Sequence, residues 1–167
     1  PMTQPNPRTI RRILTAVFLF CLLYWSYLAL ISEMIIVHDS IGYEQLGKLI
    51  IHDGWQRYFQ TGPNREPLYP LLIAASMKLA GTSGVSYQLV LKFLQLAILF
   101  STQGLCLLIL NALGVSALIS AAVVLYLGVS PALVNSSLSL YSEIAAYPWV
   151  LLLILIHLKG RQKINET

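Results

Sequence analysis

The chain has 167 residues, of which 56% are hydrophobic and only 11% charged, too little polar surface to cover a soluble globule of this size. Its formal net charge of +4 is small and sits mainly at the ends, in Arg8, Arg11 and Arg12 and in Lys159, Arg161 and Lys163. That is the placement of cytoplasmic anchors beside membrane spans rather than of a nucleic-acid surface, and no glycine-rich phosphate loop offers a nucleotide cofactor a seat.

Twenty uncharged residues separate Arg12 from Glu33, so a first span is expected over residues 13–37. A basic stretch before an apolar one also describes a signal peptide. Here the apolar core is longer than a signal core and the Ala29-Leu30-Ile31 exit lacks a small residue at the cleavage position, so an uncleaved anchor is expected. The three arginines put the N-terminus in the cytoplasm and the far end of the span outside.

The outer loop, residues 38–86, carries most of the charge that is not terminal. Residues 40–52 plot as an amphipathic helix, with Tyr43, Leu46, Leu49 and Ile50 on one arc and Glu44, Gln45, Lys48 and His52 on the other. Glu44 and Lys48 form a supporting i,i+4 pair, Gly54 is a stop, and the short one-sided helix suits the membrane surface. A turn-rich stretch with Gly62, Pro63 and Asn64 leads to a second helix over residues 67–80, apolar but short for a span.

Fifty uncharged residues lie between Lys92 and Glu143. They predict spans over residues 87–110 and 115–129, the latter ended by Pro131, and a last span over residues 141–158. If residues 67–80 also crossed, the basic C-terminal cluster would lie outside; with four crossings it lies in the cytoplasm, as the positive-inside rule prefers. The expectation is therefore an all-α, polytopic transmembrane helical bundle of four spanning helices with two interfacial helices in the first outer loop. Cys21 and Cys106 fall in apolar runs and read as small hydrophobes. Asn135-Ser136-Ser137 is a glycosylation sequon of a kind common by chance. The chain opens Pro1-Met2 and closes in a polar tail right after a span, as a piece of a longer protein would.

Chemistry is expected in the outer loop. Asp39 follows the first span, beside His38; partial desolvation at a lipid boundary would raise its basicity and fit it to take a proton from an acceptor. Asp39 equally fits a helix cap, and position alone favours the cap. His38-Asp39 recurs as His52-Asp53, but a helix between them separates the pairs by about 20 Å at 1.5 Å per residue, so they cannot share a metal ion, and no metal is indicated. Arg65 and Glu66 precede a rigid Pro67 and read either as a phosphate contact or as an interfacial ion pair. Glu143, an acid at the outer end of the last span after a long uncharged run, is a functional candidate by position. Lys78 and Lys92 are expected to snorkel to headgroups.

The order of these pieces resembles the N-terminal part of the GT-C superfamily of membrane glycosyltransferases, which use lipid-linked sugars and include protein O-mannosyltransferases and aminoarabinose transferases. A span preceded by arginines ends at Asp39, with Tyr43 four residues on. A surface helix follows, then Arg65-Glu66-Pro67-Leu68-Tyr69-Pro70-Leu71-Leu72 opens a short helix stopping at Gly81. A full span, Pro131 and the Ser142-Glu143 pair complete the series. The resemblance covers residues 8–158. It implies a polyprenyl-phosphate-linked sugar donor, transfer with inversion at the outer face of a bacterial plasma membrane, Asp39 as the base, and donor or acceptor contacts from Arg65, Glu66, Tyr43, His38 and Glu143. Where some members have a lysine directly before the proline, this chain has Glu66, with Arg65 one position back. The competing expectation is a small transporter or a structural membrane subunit; transporters show inverted repeats and broken helices with polar groups near the midplane, and here the candidates cluster at one surface.

Overall fold

The computed structural model describes residues 7–60 and 65–165. The turn expected at Gly62, Pro63 and Asn64 lies outside the described residues, as does the side chain of Lys163. Among the described residues the fold is all-helical, with seven helices: α1 (Pro7–Ile31), α2 (Asp39–Gln60), α3 (Leu68–Ser83), α4 (Tyr87–Ala112), α5 (Ala117–Val129), α6 (Pro131–Leu138) and α7 (Glu143–Asn165).

Three of them, α1, α4 and α7, are long and apolar enough to cross a membrane, and a fourth crossing arises if α5 and α6, bent by 47° at Ser130, are taken as one broken span. Large apolar side chains on their outer surfaces have no protein cover, among them Leu23 and Leu30 on α1, Leu118 on α5 and Leu153 on α7. Apolar surface on this scale calls for lipid or a partner as cover, consistent with an integral membrane protein. α4 is the central post, packed by α1, α3, α5, α6 and α7, while α2 rides on α3.

Four boundaries depart from the sequence expectation. The first helix stops at Ile31, six residues short of Val37, although Met34 to Val37 keep the apolar character; Leu140 N–H donates to the Ile35 carbonyl at 3.2 Å, so this stretch is used as extended chain against the α6–α7 connection. Gly54 does break α2, with φ 84° and ψ 167°, but helix resumes to Gln60. The third helix passes Gly81 and ends only at Gly84, whose left-handed φ of 70° and N–H bond to the Ala80 carbonyl close it, the usual service of glycine after a helix. Pro131 ends α5 and also opens α6, because a proline at a first helical position loses no intrahelical bond.

Starts are marked by serines. Ser86 and Ser116 accept N–H bonds from Leu89 and Ile119 at the heads of α4 and α5, satisfying donors the helix cannot. On α2 the buried stripe is Ser40, Tyr43 and Gly47, whereas Leu46, Leu49 and Ile50 of the expected apolar arc are only half-buried. Gly47 decides this: a Cβ there would lie 2.6 Å from Ile73 Cγ2 and 3.0 Å from Ile73 Cβ, so only glycine lets α2 lie this close to α3.

Candidate active site at the head of the second helix

The connection from α1 to α2 is held by Ser40, whose hydroxyl donates to the Leu140 carbonyl at 2.7 Å. His38, exposed, takes a left-handed φ of 51°, a conformation uncommon outside glycine, and the chain turns there so that Asp39 opens α2. Its carboxylate is 83% exposed and faces Arg65, whose Nη2 donates to Asp39 Oδ1 at 2.8 Å. The guanidinium carbon lies 4.5 Å from the centroid of the Tyr43 ring, a cation–π contact of roughly 0.5–1 kcal/mol at such a site. Behind Arg65, the Tyr58 hydroxyl donates to its backbone carbonyl at 2.8 Å, tying the second segment of α2 to the loop before α3.

Tyr43 carries the arrangement inward. Its phenol donates to Glu66 Oε1 at 2.6 Å, and the Ser142 hydroxyl lies 3.1 Å from the same phenol oxygen. Residues on α2, before α3 and before α7 thus meet in one chain: Asp39, Arg65, the Tyr43 ring, Glu66 and Ser142. Beside it a groove of about 450 Å³ runs between α3 and α7, lined by Glu66, Tyr69, Ser142 and Glu143 at its polar end and by Leu68, Trp149, Val150 and Leu153 along its length. A second apolar groove of about 470 Å³ shares Leu68, Ala145 and Trp149 with it and continues past Leu72, Ile98 and Leu152.

The electrostatics differ from the sequence expectation. Asp39 is not desolvated and its basicity is not raised: the Arg65 hydrogen bond and charge hold its carboxyl below the usual carboxylate value. Nor does its side chain serve as a helix cap, being turned to Arg65, although a carboxylate in the first turn still meets the positive end of the helix dipole. Burial pushes Glu66 upward, but hydrogen bonds led by Tyr43, with Ser142 and the Arg65 charge, outweigh it and leave Glu66 below its ordinary value. Burial and then the Glu66 bond push the Tyr43 phenol up, so it stays protonated and donating.

Of the residues singled out from sequence, Asp39, Tyr43, Arg65 and Glu66 come together, with His38 adjoining. Glu143 is exposed and lines the groove beside Glu66 and Ser142, outside the hydrogen-bonded series that joins Asp39 to Ser142. Ser142, named only as part of the Ser142-Glu143 pair, and Tyr58 complete the site without having been given a role; a hydroxyl gives no signal of its use until its partner across the fold is known. Lys92 does not snorkel. It is buried, and its ammonium donates to the carbonyls of Ala29 at 2.5 Å and Ser32 at 2.7 Å, capping the end of α1. Among the described residues no three His, Cys, Asp or Glu side chains gather to hold a metal ion.

No protein family, characterised protein or solved structure matches this chain.

Proposed function

We propose that this chain is the N-terminal module of a glycosyltransferase that moves a sugar from a polyprenyl-phosphate donor to an acceptor at the outer face of a membrane, with both chain ends on the cytoplasmic side and four crossings. The observation that carries the reading is the 2.8 Å pairing of Asp39 with Arg65, joined through Tyr43 and Glu66 to a groove whose length is apolar and whose end is polar. Such a groove suits a ligand with a hydrocarbon tail and a charged head.

In this mechanism an acceptor hydroxyl gives its proton to an Asp39 oxygen while its own oxygen attacks the anomeric carbon. The bond from that carbon to the phosphate oxygen breaks, inverting the centre, and the polyprenyl phosphate departs with its added negative charge facing the Arg65 guanidinium. Holding donor and acceptor at one interface supplies much of the rate. The chain's own residues bring the base and the counter-charge.

A transporter reading has the α5–α6 break on its side. Against it, polar side chains of neighbouring helices already meet carbonyls of α5: Gly128 near the break accepts from Trp25 Nε1 at 2.6 Å, and Val124, further back, from Gln103 at 2.8 Å. The deciding experiment is transfer by the longest natural form of the protein, reconstituted with a polyprenyl-phosphate sugar. Asp39→Asn is expected to abolish transfer with membrane insertion intact; undiminished transfer removes Asp39 from the chemistry.

A further inference from the structure

We propose that Arg65 is traded between two anions, holding Asp39 while the site is empty and passing to the phosphate of a seated lipid donor, so that the base is released only on a loaded site. This rests on the glycosyltransferase reading and adds to it an order of events.

The geometry of the guanidinium carries the inference. One atom, Nη2, bonds Asp39 at 2.8 Å, while the guanidinium carbon stands over the Tyr43 ring, 4.5 Å from its centroid, a contact that does not depend on Asp39. Gly42 lies alongside the same group: a Cβ there would stand 3.4 Å from Arg65 Nε, 3.5 Å from Nη2 and 3.6 Å from Cζ, ordinary contact distances, so the guanidinium is seated against α2 by contacts other than Asp39. Arg65 can therefore exchange one anion for another while staying seated. Its present partner is a weak competitor, since an exposed, single-atom ion pair contributes little, whereas phosphate oxygens offer the two-point, charge-assisted match that a guanidinium prefers. Glu66 does not intercept the cation, because its carboxylate is engaged by the Tyr43 phenol. The other charged neighbours are His38, beside Asp39, and Glu143, farther along the groove. With the arginine drawn away, the exposed Asp39 carboxylate is left to solvent and acceptor, and loses the pairing that lowers its basicity.

Linkage makes the exchange testable without turnover, since whatever phosphate does to the pair, the pair does to phosphate. The full chain is placed in nanodiscs of zwitterionic phospholipid and titrated with a polyprenyl monophosphate, followed by quenching of Trp149 fluorescence against a Trp149→Phe control. The uncharged polyprenol and inorganic phosphate are parallel probes. Asp39→Asn is expected to tighten polyprenyl monophosphate binding by up to about fivefold, the most an exposed ion pair can hold back, and Arg65→Gln to weaken it about tenfold. In the Arg65→Gln background the Asp39 change is expected to shift affinity by less than about twofold, because the coupling runs through the missing guanidinium. Polyprenol binding should be alike in all four proteins, which also reports that each is folded.

Unchanged binding in Asp39→Asn overturns the exchange. An equal gain in both backgrounds also overturns it, since Asp39 would then merely repel phosphate. Inorganic phosphate reproducing the whole pattern overturns the lipid assignment. If the wild-type chain binds polyprenol and polyprenyl monophosphate equally, or neither, the glycosyltransferase reading falls with it; binding that ignores Asp39 sinks only the exchange.

Discussion

Two polar regions of this molecule use similar side chains to opposite ends. In the interior, Gln95 of α4 accepts from the Tyr69 hydroxyl and donates to the carbonyls of Ser137 at 2.8 Å and Ser139 at 2.9 Å, and Lys92 spends two donors on the end of α1. These groups are buried and bind mostly backbone, so they fix where α3, α4 and α6 stand. At the head of α2 the groups bind each other, and Asp39 and Arg65 keep surface free for something else. Polar groups that meet main chain serve architecture, and polar groups that meet only side chains and solvent are the ones free to serve a ligand.

The sharpest way to break that distinction is at Gln95. Gln95→Leu strips partners from three buried groups and is expected to destabilise the protein by about 2–4 kcal/mol, read as loss of thermal stability in detergent. Little change would mean that the interior network is not structural. Next in size is Gly47→Ala, whose new methyl meets Ile73; forcing α2 from α3 should cost about 1–3 kcal/mol, and, because α2 and the loop before α3 carry the site, should weaken binding of a polyprenyl monophosphate as well. Stability lost with binding unchanged would separate the site from the α2–α3 contact.

Lys92→Met is expected to cost about 1–2 kcal/mol by uncapping α1, visible as faster amide exchange in the last turn of that helix, with ligand binding untouched. The smallest effect is that of pH at the site. Asp39 and Glu66 are both held below their ordinary values, 3.8 and 4.5, so their contribution to stability is present above the unfolded values and is lost as pH falls through the lower folded ones. A shallow loss of stability below about pH 4 is expected in the wild type. Glu66→Gln should flatten it more than Asp39→Asn, whose carboxylate is fully exposed; an identical slope in all three would mean that neither pairing is formed in solution.

Much of this was legible in the chain. The long uncharged runs marked α1 and α4, the i,i+4 pair of Glu44 and Lys48 is present at 3.0 Å, and Gly54 marked the place where α2 bends. Composition could not show that residues 32–37 leave the helix, since hydropathy does not distinguish apolar helix from apolar irregular chain laid on another segment. Pro131 was half legible: its missing N–H ends one helix and suits the start of another, and sequence registers only the first effect. Lys92 was misread because its partners are 60 and 63 residues away, and no local pattern reports a contact of that range. Gln95 carried a signal that went unused, a neutral amide in an otherwise apolar stretch, costly in hydrocarbon unless it meets a partner.

The bend between α5 and α6 bears on how the protein is made. At Pro131 the ribosome delivers a segment whose main chain is not fully bonded to itself, and the indole of Trp25 and the amide of Gln103 reach in from α1 and α4 to the Gly128 and Val124 carbonyls of the helix before it. Both donors belong to helices synthesised earlier. The contacts that seat this bent segment are therefore available as soon as it emerges, and a nascent chain lacking the first helix is expected to hand its fifth over without the indole that meets Gly128.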